Sequence, residues 1–381
     1  MHTVGIPVIS TGDHWIGGLN YYLSLISALA LSPQSEFKFV IITNKTGLFD
    51  QFASENVSIH VDESLGKNNF FQKIINKLLG CDLKLVKVVN ALKIDLLSHS
   101  SYSKKYNCKT IWWKPDFQEN YYPEFFSKRE LLERKIIVER NAKYASIIFS
   151  SRNACDDYHK FYKKKCHSYV LNFVPLLDSY AINENKIQNV LSKYNIQRPF
   201  FYLPNQFWAH KNHELVLQSI IQKNHDLDFE IISTGMMKDY RGQRHIEKIE
   251  SLIEQVSNNK FTALGLVPRE DMLVLMRASL AVINPSKFEG WSTTVEEAKY
   301  SGKKIILSNL PVHNEQCPPG SIFVDINDID AMSDAIRLVL SSYNVDDENE
   351  RRTAAEAAYE KGRLEFSLNY INILRKELSR C

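Results

Sequence analysis

The sequence predicts an α/β protein of two Rossmann-like domains, each a parallel sheet wound on both faces by helices. Three observations carry this expectation. The chain has 381 residues, more than the roughly 100–200 residues over which one core is usually built. Short apolar runs alternate with amphipathic helical stretches in both halves, as βαβ units require. Between the halves, residues 175–199 are polar and irregular and end in Gln197-Arg198-Pro199 before a fresh apolar run. The domains are therefore expected at 1–175 and 176–360, with 361–381 as a terminal helix that packs back on the first.

In the first half, strands are expected at residues 4–10, 37–43, 57–61, 94–99, 110–113, 146–150 and 170–174, each a short apolar run bounded by polar residues. Helices are expected at 20–30 and 128–145, where the apolar residues recur with helical spacing. In the second half, strands at 200–203, 229–234, 261–263, 280–284 and 304–307 alternate with helices at 213–223, 244–256, 269–278 and 293–300. A long charged and apolar helical pattern runs from 348 to 380.

Composition removes several classes. With 44% hydrophobic and 24% charged residues, the chain is neither disordered nor collagenous. A net charge of +3 and a pI near 8.3 are too mild for a dedicated nucleic-acid binder. The sequence has no apolar run long enough to span a bilayer as a helix. The first residues, with Gly5 and Pro7 interrupting a short apolar run, read as a strand and not as a signal peptide. Six cysteines, Cys81, Cys108, Cys155, Cys166, Cys317 and Cys381, form no CxxC pair, so free thiols in a reducing cytosol are expected.

Three segments have the residue types that chemistry needs. Gly17-Gly18 follows the first strand and precedes a helix expected near Asn20. Glycines there let backbone N–H groups approach a phosphate, and a plain tight turn is the other reading. The pair is not the GxGxxG fingerprint, which removes the main support for a nicotinamide or flavin enzyme. The second segment is Pro285-Ser286-Lys287-Phe288-Glu289-Gly290-Trp291-Ser292-Thr293-Thr294-Val295-Glu296-Glu297. Gly290 permits a sharp turn, and Ser292, Thr293 and Thr294 open a helix whose N–H groups suit an anion. Glu289 stands before that helix and Glu297 about one turn inside it, so the two can bracket one ligand; Glu296 reads as a solvated neighbour. The third segment, Asn205-Gln206-Phe207-Trp208-Ala209-His210-Lys211-Asn212-His213, ends the first strand of the second domain. Open α/β sheets bind ligands beyond the carboxyl ends of their strands, which places Lys211 to meet phosphate. The same segment offers His210 and His213 but no further partners for a metal.

With these residues in hand, the second domain resembles glycosyltransferase family 4, retaining enzymes of the GT-B fold, in which two Rossmann-like domains have parallel sheets that face across a cleft. The resemblance runs over residues 200–330 and rests on Glu289 and Glu297 with seven residues between them, Lys211, Gly235 after a strand, and the segment from Phe261 to Pro268. The first domain is similar more loosely, through Gly17-Gly18 and Pro115-Asp116-Phe117-Gln118. Residues 115–127 and 205–213 resemble bacterial polysaccharide glycosyltransferases of the O-antigen type.

The resemblance implies a retaining hexosyltransferase. It would move a sugar from a nucleotide-diphosphate-sugar to a glycan or lipid-linked glycan acceptor in surface polysaccharide synthesis, as for lipopolysaccharide O-antigen or capsule. Lys211, with N–H groups at Gly290, Trp291, Ser292 and Thr293, would neutralise the diphosphate; Glu289 would contact the donor sugar and Glu297 the ribose. Gly265, Leu266 and Val267 would line the base, and Gly17 and Gly18 would close over the phosphate. Two departures stand out. Gln206 occupies a position where members often carry Arg. The loop Lys114-Pro115-Asp116 lacks the usual histidine, which leaves Asp116 to orient a hydroxyl and Lys114 or His14 as substitutes. No metal or other cofactor is implied, because Lys211 and helix-start amides would stabilise the leaving group. The string Asp328-Ile329-Asp330 reads as a helix cap.

Residues 69–79 place Phe70, Phe71, Ile74, Ile75, Leu78 and Leu79 on one helical face beside Lys67, Lys73, Lys77 and Lys84. Such a helix can lie on an anionic membrane or face the core of the first domain, and both readings stand. Further lysines at 104, 105, 109, 160 and 163–165 add a basic surface, and aromatics such as Trp112, Trp113, Tyr121 and Tyr122 suit either sugar stacking or a core. The expected location is the cytoplasm, with the inner face of the plasma membrane as a further site. A GT-B sugar-nucleotide epimerase and an inactive sugar-nucleotide or glycan-binding module are the competing functional readings.

Overall fold

A computed structural model describes residues 1–9, 16–32, 36–177, 182–239 and 243–380. His14, Trp15 and Cys381 lie outside the described residues. The chain divides into two compact units, one formed by Met1–Leu176 with Lys361–Cys381, the other by Leu177–Glu360.

The first unit runs β1 (His2–Val8), α1 (Ile16–Leu31), β2 (Phe37–Thr43), β3 (Val57–Val61), α2 (Phe70–Leu79), α3 (Leu83–Ala91), β4 (Leu96–Ser98), β5 (Lys109–Lys114), α4 (Gln118–Tyr121), α5 (Lys128–Tyr144), β6 (Ser146–Phe149), α6 (Arg152–Phe161) and β7 (Ser168–Val170). Its sheet has the order β3-β2-β1-β4-β5-β6-β7, with every neighbouring pair parallel. Strand order reverses direction between β1 and β4, the switch point beyond which α/β sheets bind ligands.

The second unit runs α7 (Glu184–Lys193), β8 (Phe200–Leu203), α8 (His213–Lys223), β9 (Glu230–Ser233), α9 (Gln243–Gln255), β10 (Phe261–Ala263), α10 (Arg269–Ala278), β11 (Val282–Asn284), α11 (Thr293–Tyr300), β12 (Ile305–Ser308), α12 (Pro311–Gln316), β13 (Ser321–Val324), α13 (Ile329–Ser342) and the start of α14 (Val345–Leu378). Its sheet has the order β10-β9-β8-β11-β12-β13, again parallel, with the switch point between β8 and β11. The two-residue period of a strand divides this sheet between two cores. Phe201, Leu203, Ile231, Ile283 and Ile306 enter one, and Phe200, Tyr202, Ile232, Val282, Ile305 and Leu307 the other. Burial on both faces explains why these strands read as continuous apolar runs.

The C-terminal part of α14 belongs to the first unit. Phe366, Tyr370, Ile371 and Leu374 are buried there. Ser146 donates to Glu377 Oε2 at 2.7 Å, and Arg375 pairs with Glu36 at 2.8 Å.

Four sequence readings need correction. The stretch 175–199 is not irregular throughout but holds α7, Glu184–Lys193. Gly17 and Gly18 are not a turn before a helix but part of the first turn of α1, which begins at Ile16 and not near Asn20. The helix at 70–79 does not face a core: none of its residues is buried, and Phe70, Phe71 and Leu78 are 73%, 75% and 81% exposed. Glu296 is not a solvated surface residue; it is 1% exposed.

Candidate active site

The loops that leave β8 and β11, the strands on either side of the second unit's switch point, bring two sequence-predicted residues together. After β8 the chain passes through a short turn at Ala209–Lys211 and reverses at Asn212, whose φ of 57° lies in the left-handed region that Asn tolerates. This geometry places Lys211 Nζ 2.6 Å from Glu289 Oε1, with the two side chains only 14% and 11% exposed. The loops are laced to each other. Asn212 Nδ2 donates to the carbonyls of Pro285 (3.0 Å) and Ile326 (2.9 Å), and the Lys287 N–H donates to the His210 carbonyl at 2.7 Å.

Burial by itself would raise the Glu289 pKa. The charge of Lys211, with His210 and His313 and the Lys211 hydrogen bond, outweighs it and holds the carboxyl below its usual range. Ser286 Oγ lies 2.7 Å from both Glu289 Oε1 and Asn284 Oδ1 and gives its one proton to one of them. Asn284 Nδ2 donates in turn to Ser292 Oγ at 2.8 Å. Ser292 is therefore the N-cap of α11 by position, but its hydroxyl makes no cap hydrogen bond to the helix. The first-turn amides of α11 are left for another acceptor, beside Gly290, Trp291 and Thr293, which are all half-buried.

Residues that the sequence did not single out hold this turn in place. Gln316 of α12 accepts from the Ser292 N–H (3.2 Å) and donates to the Ser292 carbonyl (3.0 Å) and to Glu296 Oε1 (2.9 Å). Burial pushes the Glu296 carboxyl up to about 7, so it acts near neutrality as a partly protonated member of the turn's support. Glu297, buried on the same helix, meets Arg269 Nη1 of α10 at 2.8 Å. His313 is fully buried, its Nδ1 2.8 Å from the Ser308 carbonyl. Burial lowers its pKa even though Glu289 opposes the change. His313 Nε2 and Asn205 Nδ2 are among the buried polar atoms of the described residues with no hydrogen-bond partner, each a group that calls for an explanation.

The other predicted contacts of this unit border the same carboxyl ends. Gly235 has φ 133°, and a Cβ there would fall 2.5 Å from the Asn205 carbonyl oxygen. Its N–H donates to the Gly265 carbonyl at 2.8 Å, and Gly265 itself has φ 71°. Leu266 is exposed and Val267 half-buried in the loop after β10. Gln206 is committed through Oε1 to the Met236 N–H at 2.8 Å. His213 stacks on Phe207 with centroids 4.1 Å apart, and burial depresses its pKa to about 3, so it is a neutral packing residue. Asp328 caps α13, accepting from the Ala331 N–H at 2.8 Å.

In the first unit, Gly17 is exposed and Gly18 buried. Asp116 is half-buried after β5 and accepts the Gln118 N–H at 3.0 Å. Burial raises its pKa against the pull of Lys114. Lys114 is taken up by a buried ion pair with Glu119 at 2.6 Å and lies over the Phe117 ring, which argues against it as a substitute for the missing histidine. Trp113 stacks on buried Tyr21 at 4.1 Å and is a packing residue. A buried histidine that the sequence reading passed over, His99, follows β4 with φ 60°. Its ring lies 2.7 Å from the Tyr21 hydroxyl and 2.8 Å from the Ser98 hydroxyl, and burial lowers its pKa to about 3.

Residues 185–361 match the family described as glycosyl transferases group 1. No curated protein matches the chain in sequence at a significant level. Among solved structures, a glycosyltransferase from Rickettsia africae is similar over 100% of this chain and 99% of its own, with TM-score 0.71 at 17% identity. Anabaena HepE in complex with UDP and glucose covers 99% of this chain and 100% of its own, with TM-score 0.71 at 14% identity. The sucrose-phosphate synthase of Thermosynechococcus elongatus covers the same shares, with TM-score 0.70 at 16% identity. Residues 185–361 thus match the group 1 glycosyltransferases, and the two parallel sheets, like those of these structures, give the chain the GT-B fold.

Proposed function

We propose that the protein is a retaining, metal-independent hexosyltransferase of the family 4 type. On this reading it transfers a sugar from a nucleotide-diphosphate-sugar to a glycan or lipid-linked glycan acceptor in surface polysaccharide synthesis, such as O-antigen, in the cytoplasm. The observation that carries the reading is the sheltered Lys211–Glu289 pair set before a helix whose first amides lack a side-chain cap. A cation and aligned amides together suit a diphosphate leaving group, whose charge grows as the glycosidic bond breaks. The neighbour HepE, solved with UDP and glucose, supports a nucleotide-sugar as the donor class.

Each residue then has a task. Lys211 and the amides of Gly290, Trp291 and Thr293 take the diphosphate, Ser292, whose own N–H is held by Gln316, orients the turn, and Glu289 accepts from donor-sugar hydroxyls. Glu297, aligned by Arg269, binds the ribose. Gly235 allows the loop after β9 to approach Asn205 and Gln206, while Gly265, Leu266 and Val267 supply the wall for the base. In the first unit, Gly17 and Gly18 offer first-turn amides, and Asp116 orients an acceptor or sugar hydroxyl. The test is thermal stabilisation by UDP, GDP, ADP, CDP and dTDP and their common sugars without added metal, since a ligand that binds the native state raises its apparent stability by mass action. Selective stabilisation by one nucleotide, lost in Lys211→Ala, is expected. A folded protein that responds to none of them would return the inactive binding module as the better reading.

A further inference from the structure

An amphipathic helix on a soluble surface normally turns its apolar stripe inward; α2 does the reverse. Its polar and backbone groups fasten it to the first unit. Asn69 and Gln72 form a reciprocal capping box, Asn76 Oδ1 accepts the Leu83 N–H at 3.2 Å, and Ser103 Oγ donates to the Leu79 carbonyl at 3.1 Å. Lys77 pairs with Glu133 of α5, and the Arg140 guanidinium lies against Gly80. The outward stripe is Phe70, Phe71, Ile74, Ile75 and Leu78, with exposures of 73%, 75%, 44%, 45% and 81%.

The patch extends beyond α2. Glu133, Ile136 and Arg140 share one stripe of α5 by helical spacing, and the first and last of these touch α2. Ile136 and its neighbour one turn back, Leu132, border the same face and are 53% and 59% exposed. Cations surround it: Lys67, Lys73, Lys77, Arg129 and Lys135 are all exposed. Of the nearby acids, Glu133 is held by Lys77 and Arg129, and Glu130 is turned back onto Ser127. An apolar strip of this kind with a basic border fits the boundary between headgroups and acyl chains of an anionic bilayer.

We propose that α2, with Leu132 and Ile136 of α5, is a docking surface for an anionic lipid membrane. The apolar side chains enter the acyl boundary and the lysines and arginines meet lipid phosphates. This surface does not depend on the transferase reading, because lipid binding and turnover are separate readouts. The full-length protein would be sedimented with vesicles of phosphatidylcholine alone and of phosphatidylcholine with about one third phosphatidylglycerol. Binding is expected to be at least about tenfold stronger to the anionic vesicles and to weaken with salt. Phe71→Ser with Leu78→Ser should lower it at least about tenfold with the melting temperature unchanged, because both side chains are largely exposed. Lys73→Glu with Lys135→Glu should do the same through charge. Absence of binding to anionic vesicles, or equal binding to both compositions, would overturn the proposal. So would a concentration-dependent dimer of the wild type that Phe71→Ser with Leu78→Ser makes monomeric, since a second copy would then be what covers the stripe.

Discussion

Replacing Glu289 by Gln separates two effects that Ala would confound. The side chain keeps its shape, Ser286 can still donate to its oxygen, and only the negative charge is lost. Lys211 is then freed from a partner 2.6 Å away and can meet an incoming diphosphate undivided. A hydrogen bond to a charged group is worth about 1.5–3 kcal/mol. Even after allowing for the lost positioning of Lys211, nucleoside-diphosphate binding should tighten by about tenfold, or about 1.4 kcal/mol. Transfer should fall by about 10²–10³-fold, the loss typical of removing one preorganised group that acts on the transition state. Stability should drop by about 2 kcal/mol because Lys211 is left unpaired at 14% exposure, which corresponds to about 4–8 °C for a unit of this size. The native state lowers the Glu289 pKa, so the pair's contribution is present above the ordinary carboxylate range and is lost as pH falls through the lower native value. The stability gap between wild type and Glu289→Gln should therefore be widest at neutral pH and close in acid. Isothermal titration with the nucleoside diphosphate, transfer assays and melts across pH measure all of these. Diphosphate binding that weakens in Glu289→Gln as much as in Lys211→Ala would refute the idea that the carboxylate and the diphosphate compete for Lys211, and a gap independent of pH would refute its electrostatic origin.

Lys211→Ala should weaken nucleoside-diphosphate binding by about 10–100-fold in a folded protein, read by the same titration; unchanged affinity would remove Lys211 from the site. Glu296, raised from 4.5 to about 7, stays protonated in the native state while the unfolded chain ionises, so its stabilising effect is lost as pH rises between those values. Relative to Glu296→Gln, the wild type should lose about 3 kcal/mol over that range, and parallel denaturant curves at pH 5 and pH 8 would contradict this. Gly235→Ala should cost about 2–4 kcal/mol, since its Cβ meets the Asn205 backbone. Gly265→Ala has open space around it and should cost only about 1–2 kcal/mol for its left-handed φ; denaturant melts distinguish the two. Arg269→Ala leaves Glu297 buried without its cation and is expected to weaken nucleotide binding by about tenfold, whereas the effect on a bare inorganic diphosphate should be small.

What the sequence disclosed and what it concealed divide along physical lines. The strands expected at 37–43, 57–61 and 200–203 coincide with β2, β3 and β8: β8 is a fully buried apolar run, while β2 and β3, though Lys38, Ser58 and His60 interrupt them, keep the β-branched and aromatic residues that favour strands. β13 and α12 were not anticipated: Ser321–Val324 is a short run beside Pro318 and Gly320, and the six residues of α12 are too few to show a period. Lys211 and Glu289 were legible because each lies in the loop that leaves a strand next to the switch point, so chain position alone implies their meeting. Arg269, His313 and Gln316 were not, since they reach the site from α10 and α12, which only the tertiary fold brings there. The adjacent pair Glu296 and Glu297 shows the limit of spacing. On an exposed helix one of two neighbouring glutamates would face water. α11 is instead covered on both sides, by Gln316 of α12 against Glu296 and Arg269 of α10 against Glu297, so both are buried by different partners.

These contacts also explain why the site requires two loops and not one. A lysine on the β8 loop alone would lose much side-chain entropy to be held in place, and a carboxylate on the β11 loop alone would face the full cost of burial. The hydrogen bonds from Asn212 Nδ2 to the Pro285 carbonyl and from the Lys287 N–H to the His210 carbonyl fix the separation of the loops before any ligand arrives. The ion pair then offsets the desolvation of both charges. Because Lys211 and Glu289 together are nearly neutral, a diphosphate bound as proposed would be attracted in large part by the amides at the start of α11, whose orientation is set through Ser292, Gln316 and Glu296. On the proposed reading, the amides that take the anion and the Glu289 carboxylate that takes the sugar are joined by one hydrogen-bonded chain, Glu289 to Ser286 to Asn284 to Ser292. A displacement at either end of that chain is transmitted to the other, as a group transfer that must hold the phosphate and the sugar in fixed register requires.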